Sequence, residues 1–173
     1  MRTEVLGTPR LSLCGASAED FAPLYECVLS DAEVMRHVMS GKPQSVEAAQ
    51  ALYSEHFDAD CAGQKLGILV ERSSSEVIGY SGLMPCTVLG TGDFELGFVL
   101  ARRAWGKGYA QEIGHAQLRF GRSTLNLGRV LAQVAPANIA SIKVLIKIGM
   151  QLHSTVVSPG ARGVRHIYVA SAA

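Results

Sequence analysis

The stretch Trp-Gly-Lys-Gly-Tyr-Ala-Gln-Glu, residues 105–112, joins a predicted strand to a predicted helix. Residues 93–100, which precede it, place a large apolar side chain at every second position, on one face, as a half-buried strand does. Residues 109–120, which follow, carry apolar side chains at helical spacing. Gly106 and Gly108 let main-chain N–H groups converge at the start of that helix, where the helix dipole favours an anion. The pattern predicts a site for a phosphate-bearing ligand.

Two other glycine-rich phosphate motifs do not fit this stretch. A P-loop requires glycine five residues before the Gly-Lys pair and Ser or Thr after it, but Ala101 and Gly108 stand there. The dinucleotide fingerprint requires glycine where the chain has Gln111. On this stretch alone, a plain strand-to-helix turn with glycines for geometry remains the alternative.

With the preceding strand Glu-Leu-Gly-Phe-Val-Leu, residues 95–100, the stretch resembles the acetyl-coenzyme A motif of the GNAT acetyltransferases. It resembles most the ribosomal-protein N-terminal (alanine/serine) acetyltransferase branch. The family pattern begins with Gln or Arg, where this chain has Trp105, while Gly108 and Ala110 occupy its last two fixed places. The resemblance implies that the main chain of residues 106–110 binds the pyrophosphate of coenzyme A.

A second segment, residues 138–150, resembles the family's helix that begins Asn-x-x-Ser/Ala and ends in Gly and a large apolar residue. The element order along the chain is also similar to that of the GNAT fold. The fold implied is α+β, a mixed central sheet of about seven strands flanked by helices. No repeat or linker divides the chain, so we expect residues 1–173 to form a single domain.

Local patterns predict where the individual elements lie. Strands are predicted over residues 10–13, 66–72, 77–84, 93–100, 130–134, 151–157 and 165–169. Capping signals predict that helices begin at Ser17, Ser30, Ser45 and Asn138, with the motif helix after Gly108. The last two strands are expected to form a closing hairpin around Ser-Pro-Gly, residues 158–160.

Composition excludes several classes of function. The chain has 173 residues, 48% of them hydrophobic, and a formal net charge of +1, which fits a globular protein and gives no indication of a nucleic-acid partner. The basic residues Arg119, Arg122 and Arg129 are interpreted as a solvated helix end. No apolar segment is long enough for export or a membrane span, so we expect a cytoplasmic protein without a membrane partner. The four cysteines are scattered and no metal-ligand spacing occurs, which predicts free thiols and no metal.

The resemblance implies a set of cofactor contacts. The pantetheine arm of coenzyme A is expected along the strand, on its main-chain groups, and the phosphates at the glycine turn, with Arg102, Arg103 or Lys107 adding charge. Asn138 is expected to contact coenzyme A as well as to cap its helix. The predicted cofactor-binding residues are Phe98, Val99, Leu100, Arg103, Gly106, Lys107, Gly108, Tyr109, Ala110 and Asn138.

The chemistry requires a base that deprotonates the attacking amine and a donor for the departing thiolate. Glu95 is the leading candidate for the base, on the strand face opposite the apolar residues, and a surface or structural glutamate is the alternative. His153 and His166 of the closing hairpin are further candidates. Many family members carry a tyrosine as the acid where this chain has Leu145, which leaves Ser141 as the donor. The predicted catalytic residues are Glu95 and Ser141.

The function implied is an acetyl-coenzyme A dependent N-acetyltransferase that acts on a primary amine by direct attack. Its acceptor is expected to be an amine-bearing small molecule, such as an antibiotic, a polyamine or an amino acid, or the N-terminus of a protein or peptide. A non-catalytic acyl-coenzyme A binding module is the alternative, because the usual tyrosine is missing. The assembly is left open, with a homodimer among the options.

Overall fold

The computed structural model describes residues 2–158 and 163–171, and its centre is one mixed sheet of eight strands. The strands are β1 (Glu4–Gly7), β2 (Leu11–Cys14), β3 (Leu66–Glu71), β4 (Val77–Cys86), β5 (Asp93–Leu100), β6 (Arg129–Val134), β7 (Gln151–Ser158) and β8 (Gly163–Ser171). They are ordered β1-β2-β3-β4-β5-β6-β8-β7 across the sheet. In the part of the chain described, β5 and β6 pair in parallel and the other neighbours pair antiparallel.

Helices cover both faces of this sheet. They are α1 (Phe21–Leu24), α2 (Ala32–Met35), α3 (Val46–His56), α4 (Tyr109–Ser123) and α5 (Ile139–Lys147). The segment around α1 packs Leu24 and Val28 on one face, in a cluster with Tyr80 of β4. Helix α5 packs Leu145 on the opposite face, against Leu96 of β5. Both faces of the sheet are therefore covered by helical segments.

The predicted strands are confirmed, but the count of about seven was one too low. The strand that the sequence did not predict is β1, which pairs with β2 through an irregular register at the edge of the sheet. Its two apolar residues, Val5 and Leu6, are adjacent rather than alternating, so the period of a half-buried strand is absent. Of the turn predicted around residues 158–160, residues 159 and 160 lie outside the described ranges.

Three of the four predicted helix caps are confirmed and one is wrong. Ser17 forms a capping box with Asp20, and the side chains of Ser45 and Asn138 accept from main-chain N–H groups of their helices. The N-cap of helix α2 is Asp31 rather than Ser30, because the Asp31 carboxylate accepts from two main-chain N–H groups of the first turn. The Ser30 hydroxyl instead donates to the preceding helical segment.

The parallel pair at the centre of the sheet is short. β5 and β6 pair only at Phe94 with Val130 and at Glu95 with Leu131. Both strands continue beyond this point, β5 to Leu100 and β6 towards α5. The two strands therefore part in the middle of the sheet and leave an opening between them. Among the described residues, no helix is both long and apolar enough to cross a membrane.

Candidate functional site

A cleft of about 670 Å³ opens beside the diverging end of β5. One wall is Phe98–Leu100 of β5, and the glycine turn with the start of α4 forms the next. The first turns of α5 and the residues 33–38 around α2 complete the lining. Of the twelve predicted site residues, Phe98, Val99, Leu100, Gly106, Gly108, Tyr109, Ala110, Asn138 and Ser141 line this cleft together.

The glycine turn has the geometry that its sequence predicts. Gly106 and Gly108 have φ values of 74° and 80°, in the left-handed region that favours glycine. A Cβ added at Gly106 would meet no atom within 4 Å, so the turn faces open space. Gly108 is the N-cap of the 15-residue helix α4 and offers no side chain to cap it. The main-chain N–H groups of the first turn are thus placed for an anion in the cleft.

A polar anchor outside the cleft holds this turn in place. The Glu112 carboxylate accepts from Thr8 Oγ1 at 2.6 Å and from the Arg10 main-chain N at 3.0 Å, and it pairs with the Arg10 guanidinium at 2.6 Å. Arg10 Nη1 also donates to the Lys107 carbonyl at 2.9 Å. Burial by itself would raise the pKa of Glu112, but these hydrogen bonds and the Arg10 charge hold that pKa below its usual range. The last residue of the quoted motif is therefore a structural anchor.

The polar ends of three side chains in the turn are held by other protein groups. Trp105 Nε1 donates to the Leu100 carbonyl at 2.8 Å, which links the turn to the end of β5. The Tyr109 hydroxyl donates to Glu71 Oε1 at 2.5 Å, and Lys107 Nζ lies 3.3 Å from the same oxygen. Contacts of Tyr109 and Lys107 with a bound phosphate would consequently come from their main chains.

The two predicted arginines lie apart from the cleft lining. The Arg103 guanidinium donates to the Val77 carbonyl at 2.6 Å and pairs with Glu76 at 3.3 Å. Arg102 pairs with Asp31 at 2.8 Å. Both guanidiniums are engaged with protein groups, because the short helical turn that carries them packs over the start of β4 and of α2.

Basic residues that the sequence analysis did not single out line the cleft instead. Lys143 and Lys147 lie one turn apart on α5, and Arg36 and His37 come from the end of α2. The i, i+4 spacing of two lysines within a motif helix was the available signal. Asn138 Oδ1 accepts from the Ser141 main-chain N at 3.2 Å, so Asn138 caps α5 as well as lining the cleft.

Glu95 lies on β5 just before the cleft and is 8% exposed. Gln133 of β6 donates from Nε2 to Glu95 Oε2 at 2.7 Å. Glu95 shares its face of β5 with Gly97, where an added Cβ would meet no atom within 4 Å. There is therefore free space between the carboxylate and the cleft-lining residue Val99.

The two candidate histidines are placed differently from Glu95. His166 Nδ1 lies 2.9 Å from Thr155 Oγ1, within the closing hairpin. His153 is exposed, with Nδ1 3.1 Å from the hydroxyl of Ser154. Neither is among the residues that line the cleft in the described ranges. Those ranges hold no group of three or more potential metal ligands.

Arg165 of β8 links the closing hairpin to the wall of the cleft. It is 7% exposed and donates to the carbonyls of His37 at 3.4 Å and Met39 at 3.3 Å. His37 and Val38 line the cleft, so this contact holds the segment after α2 in the wall of the cleft.

The family model of the acetyltransferase (GNAT) domain matches residues 10–151. The chain belongs to the GNAT family. It is 33% identical over 150 residues to the uncharacterized N-acetyltransferase p20 of Bacillus licheniformis, covering 86% of this chain and 83% of that protein. GNAT N-acetyltransferases use acetyl-CoA as the acetyl donor, and the enzyme is assigned to that class.

Solved structures share the fold at lower identity. A GNAT-family acetyltransferase from Bacillus anthracis superimposes with a TM-score of 0.81 at 21% identity, covering 96% of this chain and 97% of that one. A spermidine N-acetyltransferase from Vibrio cholerae, solved with CoA and spermine, gives 0.74 at 16% identity, with coverage of 95% and 96%. These comparisons give no support to the ribosomal-protein branch, so the assignment is to the family as a whole.

The anchor of the glycine turn generates a prediction about stability. Glu112→Gln removes the ion pair with Arg10, and we expect the free energy of unfolding to fall by about 1–2 kcal/mol at about pH 7. Because the pKa of Glu112 is lowered by folding, its contribution exists above the unfolded pKa of about 4.3 and is lost as pH falls through the folded pKa. Urea unfolding should show that the difference in the free energy of unfolding between the parent and the variant becomes smaller towards about pH 3.

The exposed substitution Glu26→Gln is the control, and it should leave the free energy of unfolding nearly unchanged. A gap between the parent and Glu112→Gln that stays constant with pH, or no gap near neutrality, would contradict the anchoring role.

Proposed function

We propose that this cleft binds acetyl-CoA with its phosphates at the glycine turn and its pantetheine arm along β5. The observation that carries the proposal is the early end of the β5–β6 pairing at Glu95 and Leu131. Beyond Glu95, the edge of β5 that faces β6 has no ladder partner in the described residues. An extended amide-containing chain can add to such an edge by main-chain hydrogen bonds.

The phosphates are assigned to the main-chain N–H groups of residues 106–110. Support comes from the two left-handed glycines, the uncapped start of α4 and the open space at Gly106. Lys143 and Lys147 add positive charge from the facing helix α5. Arg103 and Lys107, whose side chains contact other protein groups, have no side-chain role in this proposal.

Acetyl-CoA supplies the thioester carbonyl, and Glu95 is proposed to take the proton of the attacking amine. Glu95 precedes Phe98 by three residues, which is about 10 Å along a strand. The carboxylate is also nearly buried, so a direct contact at the far end of β5 is unfavourable. The proton is therefore proposed to reach Glu95 through water in the free space at Gly97.

Ser141 is proposed to donate a proton or hydrogen bond to the departing thiolate. It lies in the first turn of α5 and lines the cleft, where the N-terminal end of the helix stabilises negative charge. Leu145, in the place of the usual tyrosine, is 2% exposed and packs in the core below.

The acceptor is proposed to carry a single reacting amine. Among the described residues that line the cleft, Glu33 is the one carboxylate, and it pairs with Arg36 at 2.5 Å. A polyamine or aminoglycoside carries further ammonium groups that would each require a partner when desolvated. The α-amine of a peptide, a protein N-terminus or an amino acid fits better, since its pKa of about 7.7–8.0 leaves a larger neutral fraction than a lysine amine has.

The phosphate assignment predicts the effect of Gly108→Asp. The substitution places a Cβ and a negative charge at the start of α4, and we expect acetyl-CoA binding to weaken by about tenfold or more. Isothermal titration calorimetry measures this loss. Gly90→Asp is the matched control, because Gly90 also has a positive φ, and an added Cβ meets no atom within 4 Å at Gly90 and only Arg10 Nη2 at 3.6 Å at Gly108. Equal weakening by both substitutions, or by neither, would refute the assignment.

The role of Glu95 predicts a loss of rate without a loss of cofactor. Glu95→Gln keeps the shape of the side chain and removes the base, so turnover should fall by about 10² or more. Binding of acetyl-CoA should change little, because the cofactor is held elsewhere. The exposed Glu76→Gln serves as control. Thiol release by Glu95→Gln at the parental rate would dismiss this base and favour His153 or His166.

The acceptor proposal predicts an order among amines. One short peptide is offered with only its N-terminus free, or with only a lysine side chain free, and spermidine is offered separately. We expect kcat/KM for the free N-terminus to exceed that for the lysine form by about tenfold near pH 7, with spermidine slowest. Release of free thiol from acetyl-CoA follows each reaction. Faster reaction with spermidine or with the lysine form would overturn the proposal.

A further inference from the structure

A side chain bridges β5 and β6 just past the point where their main chains part. Gln133 lies two residues beyond Leu131, the last β6 residue paired with β5. Its amide reaches back across the opening, and Nε2 donates to Glu95 Oε2 at 2.7 Å. A glutamine at this place thus touches the residue that the proposed mechanism uses as base.

The orientation of this amide is fixed from its other end. Ser158 at the end of β7 is 5% exposed, and its hydroxyl donates to Gln133 Oε1 at 3.3 Å. A carboxylate accepts hydrogen bonds, so Glu95 requires the NH2 end of the amide, and Ser158 then meets its oxygen. The main chain of Gln133 is held in register with Ile167 of β8. The order Ser158, Gln133, Glu95 forms one directed chain of hydrogen bonds.

We propose that Gln133 is a positioning residue for Glu95, and that Ser158 acts through Gln133. The proposal rests on the proposed function, in which Glu95 accepts the proton of the amine. The amide restricts the carboxylate to one orientation on the wall of the free space at Gly97. It also stabilises the ionised form, because it donates to a carboxylate oxygen. A carboxylate must be ionised before it can accept a proton, so the contact with Gln133 both orients Glu95 and favours its ionised form.

Other charged or titratable groups surround this carboxylate. On the same face of the sheet, or over it, are Tyr80 and Cys86 of β4, Asp93 of β5, Arg129 of β6, Arg165 of β8 and His37 after α2. The Arg129 guanidinium donates two hydrogen bonds to the Asp93 carboxylate, from Nε to Oδ1 at 2.5 Å and from Nη2 to Oδ2 at 2.7 Å. Substitutions at Gln133 leave all of these groups in place. A difference in the pH profile between the parent and a Gln133 variant therefore measures the effect of the Gln133 amide.

The test replaces Gln133 with methionine, which has a similar length and no amide. At saturating acetyl-CoA and peptide, we expect kcat to fall by about tenfold and the acid limb of its pH profile to move up by about one pH unit. Gln133→Glu places a second carboxylate beside Glu95, which disfavours ionisation of both, so the limb should move further in the same direction. Ser158→Ala should give a smaller shift of the same sign.

A purely structural bridge between β5 and β6 gives a different result. It would lower the melting temperature and the rate together but leave the acid limb in place, and that outcome would overturn the proposal. Gln151→Met makes the same substitution on an exposed position of β7 and should change neither quantity. If Gln133→Met does not fold, Ser158→Ala decides alone, since an unmoved limb in that variant contradicts the chain of contacts.

The failure of this proposal is distinguishable from the failure of the proposed function. A large loss of turnover with Glu95→Gln, together with an unchanged acid limb of the kcat–pH profile in the Gln133 variants, would overturn only the positioning role of Gln133. Parental turnover with Glu95→Gln would remove the base itself, and with it the proposal for Gln133. Binding of acetyl-CoA, measured by calorimetry, should be within about twofold of the parent in every Gln133 and Ser158 variant.

Discussion

The separation of β5 from β6 is the constraint on which the rest of the site depends. Two strands that pair in parallel over only two residue pairs cannot close the sheet beyond Glu95. Their main-chain groups would be costly to bury without partners, so an opening in the middle of a sheet requires either water or a ligand. The glycine turn, the start of α5 and the end of α2 all meet at this opening. The cleft exists because the central pairing stops early.

Two groups of polar contacts hold the walls of the opening in place. Beside the glycine turn, the loop around Thr8 and Arg10 fixes Glu112, and through it the first turn of α4. At the other end, Arg165 donates to the carbonyls after α2, and the Gln133 side chain spans the gap between β5 and β6. These contacts join residues more than 30 positions apart in the chain, so the site is assembled by tertiary structure and becomes rigid only when the sheet is complete.

Much of the fold and the geometry of the glycine turn could be predicted from the sequence, because both rest on local patterns. Alternation gave the central strands, and the spacing of Gly106 and Gly108 before an amphipathic stripe gave the turn and α4. The partners of Glu112 and Glu95 could not be predicted in this way. Thr8 and Gln133 are polar residues without a motif, and only the folded sheet brings each to its carboxylate. β1 was missed for a related reason, since an edge strand formed around two adjacent apolar residues has no period.

The contacts of the long charged side chains could not be predicted from the sequence either. Arg103 and Lys107 are close to the turn along the chain, yet their charged ends contact Val77 and Glu71. Lys143 is distant in sequence and nevertheless lines the cleft, because α5 packs against α4 across it. The main-chain geometry of the turn follows from local residue types. The contacts of a long Lys or Arg side chain depend instead on which acceptors the fold places within its reach.

The most direct measurement is a crystal structure of the protein with acetyl-CoA. We expect pyrophosphate oxygens about 3 Å from main-chain nitrogens of residues 106–110, and pantetheine amides hydrogen-bonded to the β6-facing edge of β5. We also expect β5 and β6 to remain apart, with the thioester between Glu95 and Ser141. Coenzyme A bound elsewhere on the chain, or an opening closed by direct pairing of the two strands, would show that the gap between β5 and β6 is not the cofactor site.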